Sequence, residues 1–236
     1  MTTPGQIDMI PKRFHWPNYL LGWRMGKLGI AFSNSLLVSI VGTVGTVLVS
    51  AMAAYAVGRR QCFGHRWILL FFLSSMMFAG QTTMIPQFIL YRSLRLYDSL
   101  LIFMIPGVSA FSIYLLCHWF KNVPKEIEEA AIIDGCGEWS IFFRIILPLS
   151  LPAMATVSIF TFMGAWNNFA GPYVFLESES KMTLPLAIQS LSVWQGPSFE
   201  AAKAATIVIS VIPVLIVFIS LQRWFLKGLS LGSLKG

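Results

Sequence analysis

Residues 124–152, PKEIEEAAIIDGCGEWSIFFRIILPLSLP, decide the architecture, because they form a polar, ordered-looking stretch between long apolar segments. Pro124 suits the first turn of a helix, since its missing N–H group would have no intrahelical partner there. Glu126, Glu128 and Glu129 come next, and negative charge is favourable near a helix N-terminus. The pattern predicts a short helix at the start of this stretch.

The same stretch also predicts the end of that helix and the start of another. Gly135 suits the end, because glycine tolerates the left-handed backbone that helix ends often require. Gly137 gives a second break, and a more apolar helix over 139–146 comes after it, before prolines 148 and 152 stop it. One face of the first helix should collect, at helical spacing, Ile127, Ala130, Ala131 and Asp134. The sequence therefore predicts a helix, a glycine hinge and a second helix.

This spacing resembles the EAA motif of ABC importer permeases, and the Asp-Gly pair at 134–135 is most similar to the carbohydrate-uptake, maltose-type branch. In that family the loop is cytoplasmic, and its coupling helix lies in a groove of the ATP-hydrolysing subunit. The resemblance implies ATPase-coupling roles for Glu128, Glu129, Ala130, Ala131, Asp134, Gly135, Leu147 and Pro148. The alternative is an ordinary loop helix packed on lipid headgroups, which explains a lone Glu-Ala-Ala but not the later glycine and proline.

Composition places the chain in a membrane. It has 236 residues, of which 56% are hydrophobic and only 11% charged, whereas a soluble domain carries about 25% charge. Crossing a bilayer takes roughly 20 apolar residues, and several segments are that long. We expect an all-α, polytopic helical bundle of the type I ABC importer permease class, with about five transmembrane helices. The predicted spans are 31–57, 67–84, 100–120, 151–169 and 204–221. Pro106 predicts a kink within the third span, and the stretch 86–97, with Arg92 and Arg95 among apolar residues, predicts a short interfacial helix.

The excess of basic residues does not indicate a nucleic-acid partner. The net charge is +7, but the basic residues lie at segment ends, where headgroup contact and topology explain them. Arg59 and Arg60, in the turn after the first span, are therefore interpreted as headgroup anchors. Small residues within that first span predict close helix packing.

Two domains are expected: an N-terminal extracytoplasmic or interfacial segment, 1–29, and a permease domain, 30–236, with its coupling loop at 121–152. For residues 1–12, a disordered tail is an equally good interpretation. Five spans with the loop inside place the N-terminus outside and the C-terminus in the cytoplasm of a bacterial-type inner membrane. Permeases of this type usually have six spans, so this chain lacks the first transmembrane helix, and we expect that its start has been placed late.

Polar residues at the end of the fourth span suggest a solute path. Trp166, Asn167 and Asn168 close an apolar run, and adjacent asparagines there are costly unless they face protein or water. Helix–helix hydrogen bonding is the alternative to a path. The Trp-Asn-Asn-Phe sequence is also similar to a recurrent feature of carbohydrate permeases.

No motif for catalysis, phosphate binding or metal binding is present in the sequence. We therefore expect a transporter subunit rather than an enzyme, without a cofactor of its own, because ATP and Mg would bind the partner ATPase. The resemblance implies four kinds of partner: a second permease subunit, two ABC ATPase subunits, an extracytoplasmic solute-binding protein and the lipid bilayer. The expected cargo is a sugar or small oligosaccharide. The alternatives are another small solute, such as an amino acid or polyol, or a scaffold or channel subunit.

Overall fold

The computed structural model describes residues 16–25, 27–60, 62–78, 80–193 and 197–233, and every regular element in these ranges is helical. The α-helices are α1 (Pro17–Met25), α2 (Leu28–Ala54), α3 (His65–Ser75), α4 (Met84–Ser93), α5 (Leu101–Met104), α6 (Ala110–Lys121), α7 (Lys125–Ile133), α8 (Glu138–Ile141), α9 (Leu147–Leu149), α10 (Leu151–Trp166), α11 (Ala170–Phe175), α12 (Leu184–Ser190) and α13 (Pro197–Ser233). Wide π turns cover Tyr55–Arg59 and Phe142–Ile146, and 3-10 turns cover Gly80–Thr83, Glu179–Lys181 and Leu191–Val193. The all-α prediction is confirmed.

Two helices in the described part of the chain are each long and apolar enough to cross a membrane, Leu28–Arg59 and Glu200–Leu226. Two bent helix pairs raise the number to as many as four if each pair forms one span. These pairs are His65–Ser75 with Gly80–Ser93, bent by 95°, and Glu138–Leu149 with Leu151–Trp166, bent by 78°. The first, fourth and fifth predicted spans thus correspond to α2, α10 and α13.

The third predicted span, 100–120, is two helices rather than one. Ile105 is extended, with ψ of 125°, because the residue before a proline avoids the helical region. The Gly107 N–H group donates to Thr46 Oγ1 at 3.1 Å, so a neighbouring helix satisfies backbone that the break exposes. Ser109 then caps α6 by accepting from the Ser112 N–H group. Pro106 therefore lies in a break between two helices, whereas the sequence predicted only a kink within one helix.

The second predicted span, 67–84, also ends early. Helix α3 stops at Ser75, and the hydroxyls of Ser74 and Ser75 donate to the carbonyls of Phe71 and Phe72. Serine hydroxyls compete with backbone donors in this way and weaken a helix end. The interfacial helix predicted over 86–97 is present as α4, which begins and ends somewhat earlier.

The core lies between α2, α6 and α10, which contact one another, and α13 packs against α10. Small residues on α2 allow this packing, as the sequence predicted. A Cβ atom added at Gly42 would lie 2.8 Å from the Phe103 carbonyl oxygen, and one at Gly45 would lie 2.8 Å from Pro106. Side chains at these two positions would therefore force the helices apart.

The two chain ends are covered only in part. Helix α1 packs against α13. Residues 1–15, which include the predicted tail over 1–12, and residues 234–236 lie outside the described residues.

Candidate functional site

The end of α7 has the predicted geometry. Gly135 has φ of +79°, which is the left-handed conformation that favours glycine. Its N–H group donates to the Ile132 carbonyl at 3.0 Å, and the Cys136 N–H group donates to the Ala131 carbonyl at 2.9 Å. This pair of bonds is the Schellman motif, which satisfies carbonyls that the helix end would otherwise leave free. The first helix and its end at Gly135 are thereby confirmed. The second helix is present over Glu138–Leu149, so it runs through Pro148, where the prediction ended it.

Helix α7 has one buried edge and one open face. Glu128 and Ala131 are each 6% exposed and face the bundle. The open face carries two large apolar side chains, Ile132 at 53% and Ile133 at 85% exposure. The other predicted coupling residues on this helix and its hinge are also exposed: Glu129, Ala130, Asp134 and Gly135. Of the stripe predicted at helical spacing, Ala131 lies at the buried edge, whereas Ala130 and Asp134 are exposed.

Arg59 holds the buried edge of α7 in place. Its Nε donates to Glu128 Oε1 at 2.7 Å, and both side chains are almost fully buried. Its Nη1 donates to the carbonyls of Phe120 at 3.1 Å and Val123 at 2.6 Å, and its Nη2 donates to that of Pro124 at 3.1 Å. One guanidinium therefore joins the end of α2 to the end of α6, the connecting turn and α7.

Arg60 makes a second, more open contact with the same loop. Its Nη2 lies 2.9 Å from Glu138 Oε2, and its Nη1 lies 3.6 Å from Glu128 Oε2. The guanidinium also stacks over the Tyr55 ring, 5.3 Å from its centroid. The interpretation of Arg59 and Arg60 as headgroup anchors was wrong, because both pair with carboxylates of the coupling loop. Two adjacent arginines at a span end, with acids in the loop that follows two spans later, were the signal available.

One wide turn ends the first span, where Arg59 and Arg60 meet the coupling loop, and a second lies within the loop itself. In Tyr55–Arg59 the Arg60 N–H group donates five residues back, to the Tyr55 carbonyl at 3.0 Å. In Phe142–Ile146 the Leu147 N–H group likewise donates to the Phe142 carbonyl. Such π turns are rare in proteins, and many of those that occur lie at functional sites. Of the two predicted coupling residues beyond this turn, Leu147 is half-buried against the core and Pro148 is exposed.

At the far end of the bundle, Asp98 joins two loops. Its Oδ1 accepts from the N–H groups of Glu177 at 2.9 Å and Ser178 at 3.0 Å, and its Oδ2 accepts from Lys181 at 2.8 Å. These hydrogen bonds, led by that of Lys181, hold the pKa of the Asp98 carboxyl well below its usual range. The Asp98 N–H group in turn donates to the Phe175 carbonyl. Asp98 is thus an ionised staple between the two loops.

Helix α2 holds the same far-end loop from another side. The Asn34 side-chain amide donates to the carbonyls of Ser180 and Met182, at 2.9 and 3.0 Å. The Ser35 hydroxyl accepts from the Leu184 N–H group at 2.7 Å. These contacts fix the start of α12 on α2.

The three residues predicted to line a solute path have different surroundings. Trp166 is 2% exposed, and its Nε1 donates to the Ser210 carbonyl at 3.0 Å, so it joins α10 to α13. Asn168 accepts from the Gly171 N–H group at 3.1 Å and so caps the start of α11. Asn167 is exposed. The bond of Asn168 is a local one at the start of α11, and the hydrogen bond between helices in this segment is made by Trp166 rather than by an asparagine.

Asn167 lies in a cleft of about 270 Å³ between the end of α10, helix α12 and the middle of α13. The cleft is lined by Trp166, Asn167, Phe169, Leu184, Pro185, Ile188, Gln189 and Ser210. Two side-chain amides therefore share one uncharged cleft with aromatic groups. Amides and aromatic rings together suit a ligand with hydroxyl groups and apolar ring faces.

Metal binding is not indicated in the described part of the chain. There, no three His, Cys, Asp or Glu side chains are arranged to hold a metal ion. Cys62, Cys117 and Cys136 are free thiols.

Comparisons with known proteins give the family. The family model described as "Binding-protein-dependent transport system inner membrane component" matches residues 67–231. A polygalacturonan/rhamnogalacturonan transport system permease protein of Bacillus subtilis is 35% identical, over 86% of this chain and 75% of that protein. An arabinooligosaccharides transport system permease protein of Halalkalibacterium halodurans is 34% identical, over 87% and 74%.

A solved structure agrees with these sequence matches. A bacterial ABC transporter involved in the import of the acidic polysaccharide alginate has a chain that superposes with a TM-score of 0.83 at 26% identity. The match covers 94% of this chain and 83% of that chain. The apolar helices, the coupling-loop geometry and these matches together show that the chain belongs to the family of inner membrane components of binding-protein-dependent ABC transport systems.

Proposed function

We propose that this chain is the permease subunit of an ATP-driven importer for a sugar or small oligosaccharide. The observation that carries the proposal is the division of α7 into an anchored edge and an open face. A loop helix that served only the bundle would have no use for the exposed Ile132 and Ile133. Apolar side chains exposed together beside charged ones suit a protein–protein contact.

The same division gives each predicted coupling residue a task. Glu129, Ala130 and Asp134 lie on the open side, where an ATPase subunit would contact them. Glu128 and Ala131 lie on the bundle side, where they would pass the force of that contact to α2 and α6. Leu147, packed on the core, and the exposed Pro148 would mark the return of the chain to the membrane.

The partners that suit this task are two ATPase subunits, a second permease and an extracytoplasmic binding protein. ATP and Mg would bind the ATPase subunits, so the chain itself needs no cofactor. This arrangement places α7 and the C-terminus in the cytoplasm, with the loops around Asp98 and α12 outside. Closure of the ATPase dimer on ATP would move α7, and the bundle would rock from inward-open to outward-open as a two-state element.

The carbohydrate class is supported by relatives and by the cleft. The two permease relatives carry the names of polysaccharide and oligosaccharide transport systems, and the solved neighbour that of an alginate importer. The cleft beside Asn167 offers amides and aromatic faces without a charged group. We assign Asn167 to the solute path, whereas Trp166 and Asn168 would hold the cleft in shape.

A pull-down from native membranes in mild detergent tests the proposal. Mass spectrometry should identify an ABC ATPase, a second permease and a binding protein, and the solute carried by that binding protein should be a sugar. A co-purified binding protein that carries an amino acid or polyol would contradict the carbohydrate class. Recovery of the chain alone would contradict the importer itself.

A further inference from the structure

We propose that Arg59 is a positioning residue that locks α7 to the ends of α2 and α6, so that these three helices move as one body during transport. The inference rests on the proposed coupling role of α7. It adds that the permease does not bend between α7 and the first span during transport. Flexing must then occur elsewhere, on the far side of the Gly135 turn or in the other spans.

The bonding of Arg59 carries the first step. Its four hydrogen bonds reach Glu128 and three carbonyls, of Phe120, Val123 and Pro124. The last carbonyls of a helix have no intrahelical partner, so the guanidinium satisfies the end of α6. The planar guanidinium, with five donors in a fixed fork, makes all four bonds, whereas a lysine ammonium has three donors at one point and cannot reproduce that fork.

Burial carries the second step. The Arg59 side chain is 5% exposed and that of Glu128 is 8% exposed, so separating them would strand two charges away from water. Arg60 and Glu138 differ, with exposures of 31% and 62%, and their charges can be hydrated when they part. The Arg59 contact is therefore built to persist, whereas the Arg60 contact can open and close.

Packing around the arginine carries the third step. The Tyr55 ring contacts Phe120 of α6 and Phe142 beyond α8, with centroids 6.4 and 5.1 Å away. A Cβ atom added at Gly58 would lie 2.9 Å from Cys117, so α2 and α6 are in close backbone contact beside Arg59. A joint this tightly packed resists sliding and transmits displacement.

Spin-label distances between α2 and α7 test the inference in the purified complex with its ATPase. The labels replace Met52 of α2 and Glu126 of α7, both exposed, in a background with the three native cysteines changed to alanine. Distances are recorded without nucleotide and after trapping with MgATP and vanadate. With Arg59 present, we expect the same narrow distribution in both states. Arg59→Lys should broaden it about twofold because the fork is lost, and Arg60→Lys should not.

Each outcome decides a separate point. An unchanged narrow distribution in Arg59→Lys, or a shift on trapping with Arg59 present, would overturn the inference. MgATP hydrolysis retained in Arg59→Lys, alongside the broadening, would separate lost positioning from lost assembly. Should Arg59→Lys fail to assemble, Glu128→Gln keeps the shape of the carboxylate and decides by the same widths. A parent complex without any ATPase would contradict the proposed function, not the inference.

Discussion

The two ends of the bundle are both held together by charge, but in different ways. At the coupling end (residues 55–60 and 120–149), the buried arginine Arg59 bonds carbonyls and Glu128. At the far end (residues 27–36, 94–100 and 176–184), the carboxylate of Asp98 accepts from backbone N–H groups and from Lys181, whose side chain is 41% exposed. Salt and water reach the second network but not the first. At the coupling end the Arg59 contact is thus built to persist, whereas the far end is held by a more exposed contact that a partner can loosen.

The ends also differ in what they leave free. The far end uses its polar groups internally, since Asn34, Ser35 and Asp98 all bond the loop that leads into α12. The coupling end leaves Ile132 and Ile133 exposed beside a rigid support. An exposed face on a fixed base is suited to receiving force from a partner. Substitutions should therefore differ in their cost: several kcal/mol at the buried Arg59 joint of the coupling end, less at the partly exposed Asp98 of the far end, and almost nothing on the open face of α7.

Arg59→Met should have the largest effect. It leaves Glu128 buried without a partner, and breaking a buried ion pair costs about 3–5 kcal/mol. Thermal unfolding of the purified complex should show this loss. Arg60→Met is the matched control and should cost at most about 1 kcal/mol, because its partner Glu138 is exposed. Equal losses in the two variants would erase the distinction between the buried joint and the more open Arg60 contact.

Asp98→Asn should destabilise the far end by about 1–3 kcal/mol, because the amide no longer attracts Lys181 and has one acceptor instead of two. Protease cleavage within 176–184 is the readout. High salt should weaken the staple in the unmutated chain but should leave the Arg59 joint unchanged. If high salt left the Asp98 contacts unchanged, the two ends would not differ in their sensitivity to salt, which would contradict the comparison.

The far end should stay stapled in mildly acidic solution. The pKa of Asp98 is lowered in the folded chain, so its contribution to stability is complete above the ordinary aspartate value, about pH 4, and is lost as the pH falls further. Proteolysis of 176–184 should therefore be equal at pH 7 and pH 5. Faster cleavage at pH 5 would contradict the assigned charge of Asp98.

Gly135→Val should cost about 1–2 kcal/mol, because φ of +79° is unfavourable for a residue with a Cβ atom. ATP hydrolysis should also be less well coupled to uptake, since the end of α7 is altered. Gly137→Ala is the matched control, since Gly137 is extended, with φ of −74°, and has open space around it. Normal uptake by Gly135→Val would count against α7 as the coupling element.

Asn168→Leu should lower stability by about 1 kcal/mol through the lost cap on α11. Asn167→Leu should leave stability unchanged but reduce uptake at normal membrane abundance, because Asn167 lines the cleft. Uptake and abundance, measured together, separate the two asparagines. The reverse pattern would move the solute path to Asn168.

Glu129→Lys should change stability least, by less than about 0.5 kcal/mol, since Glu129 is exposed. It should nevertheless reduce the amount of ATPase that co-purifies with the chain. Unchanged co-purification would remove Glu129 from the docking face.

The sequence predicted what depends on local rules. Gly135 was identified as a helix end because a left-handed turn has few other occupants, and the glycines of α2 were identified as packing positions. Tertiary partners could not be predicted from local rules. Arg59 and Glu128 are 69 residues apart in the sequence, and no neighbouring residue distinguishes a buried arginine from a headgroup anchor. The sequence predicted only a kink at Pro106, where the structure has a full break. The break is stabilised by Thr46 of another helix, and the local sequence does not show that contact.

The proposed mechanism requires above all that the open face of α7 receives an ATPase subunit. A photo-cross-linking amino acid at Ile133, on that face, tests this in intact membranes, with Tyr173 at the far end as the control, since both side chains are largely exposed. We expect an ABC ATPase cross-linked through position 133 and none through position 173. An ATPase captured equally at both positions, or lipid alone at position 133, would contradict the proposed docking face.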